Sequence, residues 1–255
     1  MLALLLVVSI SFVSCGEDND DNIKTSAKTS FEFTHNWDGA PVSNADFENT
    51  EYTNANGEVL TISRLRYLIS DVTFTKANGE EIVIDGHNLV DVTNNNGLIY
   101  NIDTNIPTGA YTNVSFTFGF DNEDNAGNYT DLNSESFNVP DMLGGGYHYM
   151  QFDGKFMDTS STEQGFNYHS IRAVDSPGMN PTFPQDTFFT VDLGAISITN
   201  DATIEVKTNL AEWFKNPNTW DLNTLNQMLM PNSSAQIMMH DNGKNGVFGL
   251  GTITQ

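Results

Sequence analysis

The sequence carries a single cysteine, Cys15, in 255 residues. One cysteine excludes an internal disulfide framework and a thiolate metal cluster. Basic residues are scarce as well: Lys and Arg total 10 against 33 Asp and Glu, a formal net charge of −23. That imbalance argues against nucleic acid or anionic headgroups as partners, favours solubility, and concentrates cations near the surface. Most carboxylates have no basic partner and must be solvated. Beyond the first residues no run is apolar enough to cross a bilayer. Also missing are a Gly-x-Ser-x-Gly elbow, a His-Glu-x-x-His helix, a phosphate loop and a dinucleotide fingerprint. Carboxylates are plentiful, yet nothing singles out a glycosidase-like pair, so the chain reads as a protein without catalytic chemistry of its own.

What is present begins at the N-terminus. Leu2, Leu4, Leu5, Leu6, Val7, Val8, Ile10 and Phe12 belong to an apolar stretch over Met1 to Val13 interrupted only by Ser9 and Ser11. Its length fits the apolar region of a signal peptide and falls short of the roughly 20 residues a spanning helix needs. Phe12-Val13-Ser14-Cys15 then reads as a lipobox, so Cys15 is expected to carry a lipid. No basic residue precedes the stretch, which fits a start site assigned too late. The run Gly16-Glu17-Asp18-Asn19-Asp20-Asp21-Asn22 cannot bury apolar surface and reads as a flexible tether. The alternative is a buried N-terminal strand with an incidental cysteine. The expected layout is a lipoprotein signal peptide over 1–14, a lipidated acidic tether over 15–30, and one folded domain over 31–255. The expected location is the outer membrane, on its periplasmic or cell-surface face. Lipidation would consume the sole thiol, leaving imidazole and thioether for any soft metal site.

Short strands punctuated by Asn, Gly, Asp and Pro predict an all-β antiparallel sandwich of immunoglobulin-like or jelly-roll-like type. Tyr67 to Thr75 alternates, with Tyr67, Ile69, Thr73 and Thr75 expected on one side. Asn78-Gly79 predicts a tight turn into Glu81 to Ile84, and Asn56-Gly57 does the same between Tyr52 and Val59. Val114, Phe116, Phe118 and Phe120 share one parity. Further strands are expected at 31–37, 88–93, 147–156, 165–172, 187–193, 202–208 and 247–253. The exception is 209–230, where Leu210 to Phe214 and Leu222, Leu225, Met228 and Leu229 fall near helical spacing. Pro217 and Pro231 close the two pieces, and Asp221 or Asn223 offers a cap. Trp213 and Trp220, in this helical insert, read as core.

Five histidines are the main candidates for chemistry. His35 lies in Phe31-Glu32-Phe33-Thr34-His35-Asn36-Trp37, His148 follows Gly144-Gly145-Gly146-Tyr147, and His169 follows Phe166-Asn167-Tyr168. Imidazole is a common ligand for copper and zinc and is neutral near pH 7. Each alone also fits a hydrogen-bonded packing residue. His240 follows Met238-Met239, where thioether ligation and core filling are both open. His87, in Asp85-Gly86-His87-Asn88, is expected to be a solvent-exposed turn residue. Asp121, Glu123 and Asp124, in Asp121-Asn122-Glu123-Asp124-Asn125-Ala126-Gly127-Asn128, have calcium-loop composition but fail the EF-hand template. A hydrated acidic loop is the other reading.

Five segments, in order along the chain, resemble the MbnP-like family: Arg64 to Val72, Ile106 to Tyr111, Phe116 to Asp121, Gly145 to Met150, and Phe166 to His169. Members are exported β-sandwich proteins. The resemblance implies a copper site built from two histidines and a tryptophan oxidised to kynurenine, a di-haem cytochrome c peroxidase-like partner, and in some members calcium. Carried over by position, it makes His35, His148 and His169 the ligand candidates, with His240 weaker. Trp37, two residues from His35 on the same strand face, is the candidate for the modified tryptophan; an ordinary half-buried strand aromatic is the alternative. The expected role is copper capture or handover at the cell envelope, to the peroxidase-like protein or to an envelope metal transporter. The rival expectation is a surface lipoprotein that binds a glycan or a protein without a transition metal, with Trp37, Tyr147 and Tyr149 exposed to stack on the ligand.

Overall fold

The computed structural model describes residues 24–255; the signal-peptide and lipidation expectations, Cys15 included, lie outside the described residues. Fourteen strands follow in chain order. They are β1 Ser26–Ala27, β2 Thr29–Trp37, β3 Ala40–Val42, β4 Tyr52–Thr53, β5 Val59–Lys76, β6 Glu81–Asp91 and β7 Ile99–Asn101. Then come β8 Ile106–Pro107, β9 Gly109–Phe118, β10 Met150–Met157, β11 Glu163–Ser170, β12 Phe189–Ile198, β13 Ala202–Asn209 and β14 Phe248–Thr254. Helix α1 is Thr130–Ser134 and α2 is Ser233–Gly243. Pairing starts at Ser26, which bonds across to Pro107, so the ordered domain begins inside the segment expected as tether.

Two sheets face each other. The larger has the order β11-β10-β5-β9-β12, with β4 and β6 also on β5. The smaller runs β14-β13-β2-β3, with β7 on β2. All pairs are antiparallel except β13 with β2. Period-two burial along β2 sends Phe31, Phe33, His35 and Trp37 inward. Phe33 meets Tyr67 and Phe116 of the opposite sheet at ring-centroid distances of 6.1 and 6.0 Å, both edge to face. Phe248 adds contacts to Tyr67, Phe116 and Phe118. Such aromatic pairs add about 0.5–1.5 kcal/mol each beyond the area they bury.

Two features of β5 shape everything built on it. Asp71 has φ +50° and the pairing register shifts between Ser70 and Val72. This bulge flips the parity, so Val72 and Phe74 are buried, and Thr73 and Thr75 do not share the inward side of Tyr67 and Ile69 as alternation predicted. Along one edge, β5 pairs with β10 up to Tyr67 and with β9 from Ile69. The exchange falls at Leu68, whose N–H donates to Tyr149 O and whose carbonyl accepts from Gly119 N–H, both at 2.9 Å.

The helical insert is also placed differently. Leu210–Phe214 forms a 3-10 turn, but no helix forms over 221–229. Backbone groups there are bonded elsewhere: Asn226 O accepts from Asn167 N–H, and Leu225 O accepts from the Trp220 indole. The helix lies just beyond, at α2, capped by the Asn232 side chain accepting from Ala235 N–H. Trp213 and Trp220 are core, as expected. Among the described residues no helix is long and apolar enough to cross a membrane.

Candidate metal centre

The outer face of the larger sheet, beside the Leu68 exchange, brings two of the expected histidines together. Gly144, Gly145 and Gly146 have φ of +100°, +67° and +75°, a run that side chains rarely adopt. A Cβ at Gly146 would sit 2.6 Å from the Asn125 amide. The glycines turn the chain so that His148 reaches the sheet surface, where its N–H and its Nδ1 both lie 2.9 Å from Phe137 O. A carbonyl only accepts, so the ring proton is on Nδ1 and the lone pair is on Nε2. That Nε2 is buried and has no hydrogen-bond partner, an arrangement that costs about 1–3 kcal/mol. Burial, opposed by the Phe137 carbonyl, lowers the His148 pKa to about 4, so the ring is neutral at pH 7.

His169 comes from β11, opposite Gln151 of β10. In the next outward pair Asn167 faces Asp153. His169 Nε2 lies 2.7 Å from Asp153 Oδ1. Since the carboxylate only accepts, Nε2 donates, and Nδ1 is the nitrogen left to offer a lone pair. Asp153 is itself held by an ion pair with Arg64 and by the Asn167 amide at 2.7 Å. Burial alone would raise its pKa, but the bonds from His169 and Asn167 and the Arg64 charge hold it below the ordinary value. From α2, the buried Gln236 side chain donates to His169 O at 2.8 Å and accepts from Ile171 N–H at 2.7 Å, fixing the end of β11. The His148 and His169 rings meet edge to face, centroids 5.3 Å apart and planes at 85°.

His35 is not part of this pair. It points between the sheets, its Nε2 3.0 Å from Tyr67 Oη, and burial lowers its pKa to about 4. Trp37 shares that inward face, as expected, but stacks on Tyr52 at 4.9 Å and donates its indole N–H to Thr53 O. Strand alternation therefore puts His35 and Trp37 on the opposite side of the larger sheet from His148 and His169. His240, in the last turn of α2, has its Nδ1 3.0 Å from its neighbour Asp241 and packs on Phe189, while Met239 is buried core. The stacking surface expected of the rival reading is not formed, because Trp37, Tyr147 and Tyr149 are all buried.

The acidic loop opens onto a different cleft, of about 550 Å³, lined also by residues of β5 and β6. Asp121, Glu123 and Asp124 line it together with Asp71 and Asp85, which sequence reasoning missed because they lie on β5 and β6. His87 is there too, half-buried in β6 with its Nε2 2.8 Å from Asp131, not an exposed turn residue. Burial, with the charges of Asp124, Asp121 and Asp85, raises the Asp71 pKa to about 6, against the Ser70 hydrogen bond. Asp121 Oδ1 is turned back to accept from the N–H groups of Glu123 and Asp124. Among the described residues, no group of three or more His, Cys, Asp or Glu side chains is arranged to hold a metal ion. This applies to the expected calcium loop as well as to a three-histidine set.

A family model of MbnP matches residues 26–238. The chain belongs to the MbnP family. Among solved structures, it resembles MbnP from Methylosinus trichosporium at 13% identity and a TM-score of 0.53, with 90% of this chain and 99% of that one covered. That likeness extends the family assignment to the sandwich architecture. No curated protein sequence matches the chain. His148 and His169 lie within two of the five family-like segments, those ending in Met150 and His169.

Proposed function

We propose that this MbnP-family protein binds copper, and that His148 and His169 hold it. The observation carrying this reading is the complementary state of the two rings. Each ties one nitrogen to an acceptor, Phe137 O or Asp153, and each leaves the other with a lone pair, the pattern of imidazoles prepared to ligate. Nitrogen donors disfavour calcium, and two of them fall short of the four-ligand set of a structural zinc. Copper is then cargo, and the protein captures it or hands it over without chemistry of its own. The N-terminal apolar stretch and Phe12-Val13-Ser14-Cys15 support a lipid on Cys15 holding the domain at the outer membrane, and the family resemblance supports export and exchange with a di-haem peroxidase-like protein or a metal transporter.

The test is metal analysis after copper loading and desalting. The parent retains copper; His148→Ala and His169→Ala lose it; His35→Ala and His240→Ala retain it. Copper absent from the parent, or retained equally by all four variants, sinks the assignment. Lipidation is checked by detergent phase partition and intact mass, with Cys15→Ser as the soluble control.

A further inference from the structure

His169 and Asn167 also form one wall of a second cleft, of about 470 Å³, on the outer side of β11. Its other walls include Met142, Met228, Met230 and Leu229, drawn from two segments far apart in sequence. The chain has nine methionines, so a third of them line this single cleft. Met142 and Met228 are 61% and 79% exposed, where burial does not account for an apolar side chain. Met179, 98% exposed, stands beside the rim, because its neighbour Gly178 donates its N–H to Met142 O at 2.7 Å. Met228 also has φ +56°, an uncommon conformation for a side-chain-bearing residue.

Thioether sulfur is a neutral, soft, polarisable donor that selects Cu(I) over hard dications. Imidazole nitrogen is a borderline donor that also suits copper, so an ion can pass from the thioethers of the cleft to the two rings beside it. The net negative surface supplies the attraction for a cation, and the methionines supply the selectivity.

Resting on the copper reading of the histidine pair, we propose that the methionine-lined cleft is the port of that site. Met142, Met228 and Met230 take a soft monovalent cation, Cu(I) or Ag(I), and pass it to His169 and His148. Entry is filtered by softness before the imidazoles are reached, so the cargo arrives in the reduced, monovalent state.

The test uses Ag(I) as a redox-inert probe on the full folded domain with methyl-labelled methionine. At substoichiometric Ag(I), the methyl signals of Met142, Met228 and Met230 shift while those of core Met150 and Met239 do not. The triple variant Met142→Leu, Met228→Leu, Met230→Leu keeps side-chain volume and takes up Cu(I) from a chelator about tenfold more slowly, with Ni(II) binding unchanged. Unmoved methyl signals, or uptake at the parent rate, overturn the port. A double variant, His148→Ala with His169→Ala, separates this inference from the reading beneath it. Methyl shifts persisting there support the cleft as a soft-cation site in its own right. Copper retention persisting there as well overturns both the pair and delivery to it.

Discussion

His169 Nε2 stands 2.7 Å from Asp153 Oδ1, and that one bond decides which nitrogen of the ring is left to offer a lone pair. Asp153→Asn removes the carboxylate while keeping its shape, and the tautomer of His169 is no longer enforced. The expected outcome is a loss of copper affinity of about 10–100-fold, as for other partners of metal-binding histidines, with the fold intact by circular dichroism. Competition with a Cu(I) chelator measures it; unchanged affinity would remove Asp153 from the site.

Acid should loosen the fold in a defined window. His148 and His35 have folded pKa values near 4, below the unfolded value of 6.5. Between those values the unfolded chain binds more protons, so stability is full above pH 6.5 and falls as pH drops toward 4. Each histidine contributes up to about 3 kcal/mol to that loss. Denaturant midpoints at pH 7 and pH 5 check it, and His35→Gln should flatten the dependence by roughly half.

Asp71 has the opposite sign. Its folded pKa, raised to about 6, exceeds the unfolded 3.8, so its contribution is present below pH 3.8 and lost as pH rises through 6. Asp71→Asn is therefore expected to stabilise the protein at pH 7 by about 1–2 kcal/mol, after discounting for solvent screening. At pH 3.5 it should change nothing. A stabilisation equal at both pH values would point away from titration.

The strand exchange at Leu68 depends on Gly119, which has φ +84° and would place a Cβ 2.5 Å from the Tyr149 ring. Gly119→Ala combines backbone strain with overpacking and should cost about 2–4 kcal/mol. Because Tyr149 adjoins His148, the same variant should shift the His148 ring resonances. Urea unfolding and imidazole nuclear magnetic resonance give the two readings.

Much of the fold was legible because sandwich strands repeat every second residue. Phe31 to Trp37, the Asn78-Gly79 turn and the Phe116–Phe118 parity all behave as the pattern predicts. The failures have local causes. A bulge at Asp71 has no sequence signature, so simple alternation puts Thr73 and Thr75 on the wrong face. Leu222 to Leu229 has helical spacing, but tertiary bonds to Asn167 and Trp220 claim its carbonyls. Helix α2 hides its pattern because Gln236 and Asn242 are buried among its inward residues. At the site, His148 and His169 could be named as candidates. Their convergence rests on a pairing register, Gln151 against His169, that no spacing encodes. His35 looked equivalent only because sequence does not say which side of a sheet faces the core.

The change of neighbours at Leu68 has a mechanical consequence. On that edge of β5 the β10–β11 half and the β9–β12 half share no ladder, so within the sheet force between them runs through the two hydrogen bonds at Leu68 and through β5 itself, which β6 braces from its other edge by unbroken pairing from Arg66 to Ser70. The larger sheet is thus two plates held by a shared β5–β6 spine, and His148 sits one residue from the seam.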